Sequence, residues 1–131
     1  GEGNGGIILP ELHYGRDALV GIALFLSHLA KCGKPMIHLK ASYPPFIISK
    51  NKIELTPDID VDNILIQLQE KYKKQPINTI DGVKIEFDEE WVHLRKSNTE
   101  PIVRIYAEGS TQSVADSLAN KIKRDIKEMI S

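Results

Sequence analysis

Trp91-Val92-His93-Leu94-Arg95 and Ile102-Val103-Arg104-Ile105-Tyr106-Ala107-Glu108, joined by Lys96-Ser97-Asn98-Thr99-Glu100-Pro101, decide how this chain folds. Apolar and polar residues alternate in both runs, and successive side chains of a strand point to opposite faces of its sheet. With Val92 and Leu94 turned toward a core, Trp91, His93 and Arg95 turn away from it. With Val103, Ile105 and Ala107 inward, Ile102, Arg104 and Tyr106 face out. The short polar residues and proline between the runs are turn chemistry. The segment predicts two neighbouring strands, with both arginines on the polar face beside the loop.

The flanking sequence supplies partners for this pair. Val83, Ile85 and Phe87 alternate as a half-buried strand after an Asp81-Gly82 turn, and Asp88-Glu89-Glu90 turns the chain into Trp91. Phe46-Ile47-Ile48 opens a strand that continues through Ile53 and Leu55. After Asp60, Val61, Ile64, Leu65, Leu68 and Tyr72 share one helical face, with lysines gathered near its end. Gly109 breaks the last strand, and Ser110 or Thr111 is placed to cap a helix with an apolar stripe of Val114, Ala115, Leu118, Ile122, Ile126 and Met129. The order β-α-β-β-β-α over 46–131 predicts an α+β domain. A small antiparallel four-stranded sheet with two helices on one face buries both stripes.

Residues 1–41 read as a different piece. Leu19, Ile22, Ala23, Leu26 and Leu29 make one stripe, widened by Ala18, Leu24 and Phe25, which predicts a helix from about Arg16 to Ala30 buried on more than one side. Gly33 sits where a left-handed cap belongs, and Pro35 opens a short helix through about Leu39. Ser42-Tyr43-Pro44-Pro45 stops regular structure and marks a hinge at 42–45.

Composition bounds the function. With 131 residues, 41% hydrophobic and 27% charged, the chain has material for a core without metal or disulfide staples. A net charge of −1 argues against a surface built wholly to grip nucleic acid or anionic membrane. Cys32 is alone, which fits a reducing, cytoplasmic setting. The apolar run from Ala18 to Leu26 is too short to cross a bilayer. A start within Gly1-Glu2-Gly3-Asn4-Gly5-Gly6, with no secretory signal, reads as the cut end of a longer protein.

The loop between the two strands carries the sharpest chemistry. Ser97, Asn98 and Thr99 offer two hydroxyls, an amide and backbone N–H groups between the guanidinium groups of Arg95 and Arg104. That set suits a phosphate dianion, since arginine supplies planar paired donors. Hydrogen bonds to a charged group contribute roughly 1.5–3 kcal/mol each, so four or five hold a phosphate monoester. The same residues also serve as ordinary turn and solvated sheet surface. The glycine-rich start matches G-x-G-x-x-G in letters only, because Ile7-Ile8-Leu9-Pro10 follows where a dinucleotide site needs a helix. What remains is a backbone displaying Glu2 and Asn4, able to accept from and donate to neighbouring sugar hydroxyls, or simply a loose terminus. Asp58-Ile59-Asp60-Val61-Asp62 lacks the glycine and glutamate of a calcium loop, with Asn63 and Gln69 in those places, and reads as acids at a helix start. His13, His28 and His38 show no ligand spacing; His93 lies on the open face near Arg104, and Lys96 adds charge to the loop or points to solvent.

Together the two motifs resemble the α-D-phosphohexomutase superfamily of phosphomannomutases, phosphoglucomutases and phosphoglucosamine mutases. Gly1-Glu2-Gly3-Asn4-Gly5-Gly6 is similar to its sugar-binding loop, and Arg95-Lys96-Ser97-Asn98-Thr99-Glu100-Pro101 with Arg104 to its phosphate-binding loop, followed by Glu108. The resemblance implies a C-terminal fragment. Residues 1–41 would be the helical end of an α/β domain three, and 46–131 a domain four with a layer like that of TATA-binding protein. It implies interconversion of hexose 6-phosphate and hexose 1-phosphate through a phosphoserine and a bisphosphate intermediate, with magnesium held by a domain this chain lacks. Sugar contacts fall to Glu2 and Asn4, phosphate contacts to Arg95, Ser97, Asn98, Thr99 and Arg104, and catalytic and metal residues to the missing N-terminal domains. The fragment alone is then expected to be inactive. The Gly-Asn loop variant leans toward glucosamine phosphate over mannose or glucose phosphate. An open sheet bearing Trp91, Tyr106 and arginines is also compatible with a nucleic-acid-binding module, against which stand the near-neutral charge and an element order unlike an RNA-recognition motif.

Overall fold

The alternation around the loop becomes a hairpin of β4 (Trp91–Lys96) and β5 (Ile102–Gly109) in a computed structural model that describes residues 1, 5–56, 59–97 and 99–130. The chain divides into two compact units, Gly1–Pro44 and Pro45–Ser131. In the second, β5 pairs on its other edge with β1 (Ile47–Glu54), and β4 pairs with β3 (Val83–Glu86). A short β2 (Ile77–Asn78) adds to β3 through Ile77 opposite Ile85. The sheet is therefore five-stranded and antiparallel, in the order β1-β5-β4-β3-β2. This corrects the expected four strands, because two residues are too few to show an alternating period.

Two helices cover one face. α3 (Val61–Lys71) begins at Asp60, whose carboxylate accepts from the N–H groups of Asp62 at 3.0 Å and Asn63 at 3.1 Å. α4 (Gln112–Ile130) begins after Thr111, whose hydroxyl accepts from the Val114 N–H at 3.3 Å. Ile64, Leu65 and Leu68 from α3 and Leu118, Ile122 and Ile126 from α4 pack with the inward residues of β3, β4 and β5. Val92, Leu94, Val103, Ile105 and Ala107 are wholly buried, as the parity requires. Burying a side chain of the Val or Leu class contributes about 1.5–3 kcal/mol, so this face dominates stability.

Polar ties fix the helices in place. The buried Tyr72 hydroxyl donates to Asp125 Oδ2 at 2.6 Å, and Lys71 Nζ lies 2.8 Å from the other oxygen. Burial and this hydrogen bond raise the tyrosine pKa well above its ordinary value. Burial pushes the Asp125 carboxyl up, but Lys71 and Tyr72 outweigh it and hold the group below its usual range. On β1 two of the inward positions, beside Ile53, are polar: Ser49 and Asn51. Ser49 donates to Asp116 of α4, Asn51 donates to Ser49 Oγ at 2.9 Å, and Lys123 donates to Asn51.

In the first unit, Asp17 caps α1 (Ala18–Cys32) by accepting from the Val20 N–H at 3.0 Å, and Gly33 closes it at φ 61°. α2 (Met36–Ala41) follows Pro35. The expected burial of α1 does not hold: none of its residues is buried, and Leu19 is 77% exposed. Periodicity identifies the apolar face of a helix but not what covers it. Among the described residues, no helix is long and apolar enough to cross a membrane.

Candidate functional site

Hairpin register places the charges. Arg95 and Arg104 are direct cross-strand partners on the face without helices, and both are exposed. Lys52 of β1 stands opposite Arg104 on its other side, so three cations cross the sheet in one row. The next row holds Lys50, Tyr106, His93 and Lys84, and the one beyond it Ile48, Glu108, Trp91 and Glu86. The face thus grades from cationic beside the 97–101 loop to acidic at its far end.

Like charges directly opposite one another destabilise a sheet. Glu54, 2.9 Å from Lys52, relieves one of them, and its hydrogen bond holds the lysine pKa above the ordinary value. Asp81, 3.2 Å from Arg95 Nη1, relieves another. Among the described residues Arg104 has no ion-pair partner. A shallow depression of about 250 Å³ lies at this row, lined by Lys50, Lys52, Ile102, Arg104 and Tyr106. An unneutralised guanidinium presents charged, planar N–H donors that suit an anion.

The loop is fixed at both ends. The Ser97 N–H donates to the Ile102 carbonyl at 3.0 Å, and the Leu55 N–H donates to the Pro101 carbonyl at 2.9 Å. Ser97 is buried; its Oγ lies 3.4 Å from Thr99 Oγ1 and accepts from the Thr99 N–H at 3.4 Å. Ser97 and Thr99 thus belong to the loop that follows β4, at the end of the hairpin where Arg95 and Arg104 pair. Asn98 and the two sugar-loop candidates, Glu2 and Asn4, lie outside the described residues.

Other candidates go elsewhere. Lys96 is in register with inward-facing Val103, and its ammonium reaches Asp62 Oδ2 at 2.8 Å at the start of α3. His93 is on the open face, where its Nε2–H donates to the Asp81 carbonyl. Sequence reasoning missed Asp81 and Lys52; period-two parity through Lys50 and Lys52 was the available signal for the lysine, and Asp81 gave none beyond a turn.

Asp60 is used in capping α3, and Asp58 lies outside the described residues. Among the described residues, no three His, Cys, Asp or Glu side chains converge where a cation could sit, so they do not fit a magnesium site. A groove of about 740 Å³ runs between the Phe87–Glu90 turn and α4. Asp88, Glu89 and Glu90 on its wall, against the cation Lys121, disfavour an anion there, whereas Lys50, Lys52 and Arg104 line the smaller depression.

Residues 54–125 match the family model described as phosphoglucomutase/phosphomannomutase, C-terminal domain. A phosphoglucosamine/phosphogalactosamine mutase of Sulfurisphaera tokodaii is 38% identical over 125 residues, covering 94% of this chain and 28% of the relative. A phosphoglucomutase/phosphomannomutase of Thermococcus kodakarensis is 38% identical over 116 residues, covering 88% of this chain and 25% of the relative. The chain thus spans between a quarter and a third of the curated relatives it matches. A crystal structure of a phosphoglucomutase/phosphomannomutase family protein from Burkholderia thailandensis shares the fold, with a TM-score of 0.68 at 23% identity, covering 98% of this chain and 27% of that one.

Proposed function

Because this chain belongs to the phosphoglucomutase/phosphomannomutase family, whose C-terminal domain it carries, we propose that its open sheet face anchors the nontransferred phosphate of a hexose phosphate. The observation that carries this reading is Arg104, without an ion-pair partner among the described residues, paired across the hairpin with Arg95 at the end that leads into the Ser97 and Thr99 loop. A phosphate dianion between the two guanidinium groups removes a like-charge repulsion and gains charge-assisted hydrogen bonds at once. The strands fix where that phosphate sits, so binding energy goes into positioning the sugar for phosphoryl transfer.

In this reading 46–131 is the phosphate-holding domain, 42–45 the hinge, and 1–41 the remnant of the preceding domain, with Glu2 and Asn4 taking sugar hydroxyls. The reaction interconverts hexose 6-phosphate and hexose 1-phosphate through a phosphoserine and a bisphosphate intermediate. Phosphoserine and magnesium belong to parts of the enzyme outside this chain, which supplies no catalytic residue and turns over no substrate by itself. The uncovered apolar face of α1 supports assembly with those parts. Relatives named as phosphoglucosamine mutases favour glucosamine phosphate over mannose or glucose phosphate. The lone Cys32 supports a cytoplasmic setting for the enzyme. Nucleic acid fits this face less well. Lys84 stands 5.2 Å from the Trp91 ring centroid and Lys50 5.8 Å from that of Tyr106, covering faces on which bases would stack.

A backbone-amide NMR titration with glucosamine 6-phosphate, run beside a short RNA, tests the proposal. Saturable shifts centred on 95–104, weakened by Arg104→Ala, are the expected result. Shifts with RNA and none with the sugar phosphate would overturn it.

A further inference from the structure

The contact that neutralises Arg95 comes from a turn built to deliver it. Asp81 Oδ2 stands 3.2 Å from Nη1 as an ion pair, and the guanidinium has further N–H donors for another anion. The turn is fastened to β4 at the root of that arginine. Gly82 adopts φ 76° and packs so tightly that an added Cβ would lie 2.2 Å from the Leu94 carbonyl oxygen and 3.2 Å from Arg95 Cα. His93 donates to the Asp81 carbonyl, and the Ile80 N–H donates to Asn78 Oδ1 at 2.9 Å. The carboxylate is therefore presented by a rigid corner.

Magnitude separates a structural role from a functional one. Both partners are more than half exposed, and ion pairs of that exposure contribute little to folding. Orientation is different: an unrestrained arginine samples many rotamers, and each must be given up when it grips a ligand. We propose that Asp81 is a positioning residue, holding Arg95 by one edge so that its other donors are set for phosphate before substrate arrives. The inference rests on Arg95 being a phosphate ligand.

The test uses the whole 131-residue chain, with inorganic phosphate and glucosamine 6-phosphate as probes, followed by NMR of backbone amides and of the Arg95 Nε–H. Asp81→Ala is expected to weaken both probes about two- to five-fold, the range of an exposed ion pair, and to mobilise the Arg95 side chain in the free protein. Asp81→Asn keeps the size without the charge and, the contact being an ion pair, is expected to weaken both probes as Asp81→Ala does, whereas Asp81→Glu keeps the charge and is expected to stay within about twofold of wild type. Arg95→Ala is expected to weaken binding by about tenfold or more, and Asp81→Ala added to it to do nothing further. If Arg95→Ala weakens binding while Asp81→Ala leaves it unchanged or tightens it, the positioning role falls and the phosphate anchor stands. If Arg95→Ala has no effect, or wild type gives no phosphate response, both fall.

Discussion

Gly82→Ala puts the clamp between the 78–82 turn and β4 to a direct test. At φ 76° an L-residue is in the left-handed region, which costs about 1–2 kcal/mol. The new methyl would also sit 2.2 Å from the Leu94 carbonyl oxygen, a backbone atom of a strand paired on both sides. It cannot swing away as a side chain does, and relieving such an overlap costs about 1–3 kcal/mol more. The expected loss is thus about 2–5 kcal/mol, a large share of a small domain's stability. Urea unfolding followed by Trp91 fluorescence and far-UV circular dichroism measures it. Trp91 is the single tryptophan and donates to Glu108 from within β4, so it reports on the affected strand. A loss below about 1 kcal/mol at unchanged m-value would show that the turn yields freely, and the case for a rigidly presented Asp81 carboxylate would go with it.

Two further outcomes follow from the helix ties. The Asp125 carboxyl titrates below its ordinary value of 3.8 in the folded chain, so the unfolded chain binds that proton more tightly. Its contribution is full above about pH 4 and drains away as pH falls through the folded pKa; the gap in urea midpoint between wild type and Asp125→Asn should be clear at pH 7 and narrow steadily below pH 4. A gap that widened on acidification would contradict the assigned direction. Asp60→Ala removes the acceptor for two N–H groups at the start of α3 and is expected to cost about 1 kcal/mol in the same assay, with Asp60→Asn close to neutral.

The sheet was legible wherever alternation was long enough to be tested. Val92 and Leu94, then Val103, Ile105 and Ala107, announce which side faces the helices, and parity alone carries Arg95 and Arg104 to the other. Ile77 and Asn78 offered no period, so β2 went unread. Leu19, Ile22 and Leu26 form an apolar stripe, but a stripe is a property of one helix and burial a property of two surfaces. The proposed phosphate loop was singled out by its residue types, whereas Lys96 illustrates what types conceal. It adjoins Ser97 in sequence, yet strand parity sends it to Asp62 on the helix side. Asp81 is legible as half of a turn; its hold on Arg95 depends on how closely that turn packs on β4.

The position of β1 has a consequence for how the domain comes into being. Ile47 pairs with Gly109 across half the chain, while Arg95 meets Arg104 across a single short loop. Closing the short loop sacrifices little chain entropy, so the β4–β5 hairpin is favoured to form early and bring the two arginines together. The long closure that adds β1 rewards the chain only once β5 exists. During synthesis from the N-terminus, the first strand of this sheet must therefore wait for its fifth. Until Gly109 has been added, the N–H and C=O groups of β1 stay in water, and its central Ser49-Lys50-Asn51-Lys52 makes it less prone to stray pairing than a wholly apolar strand.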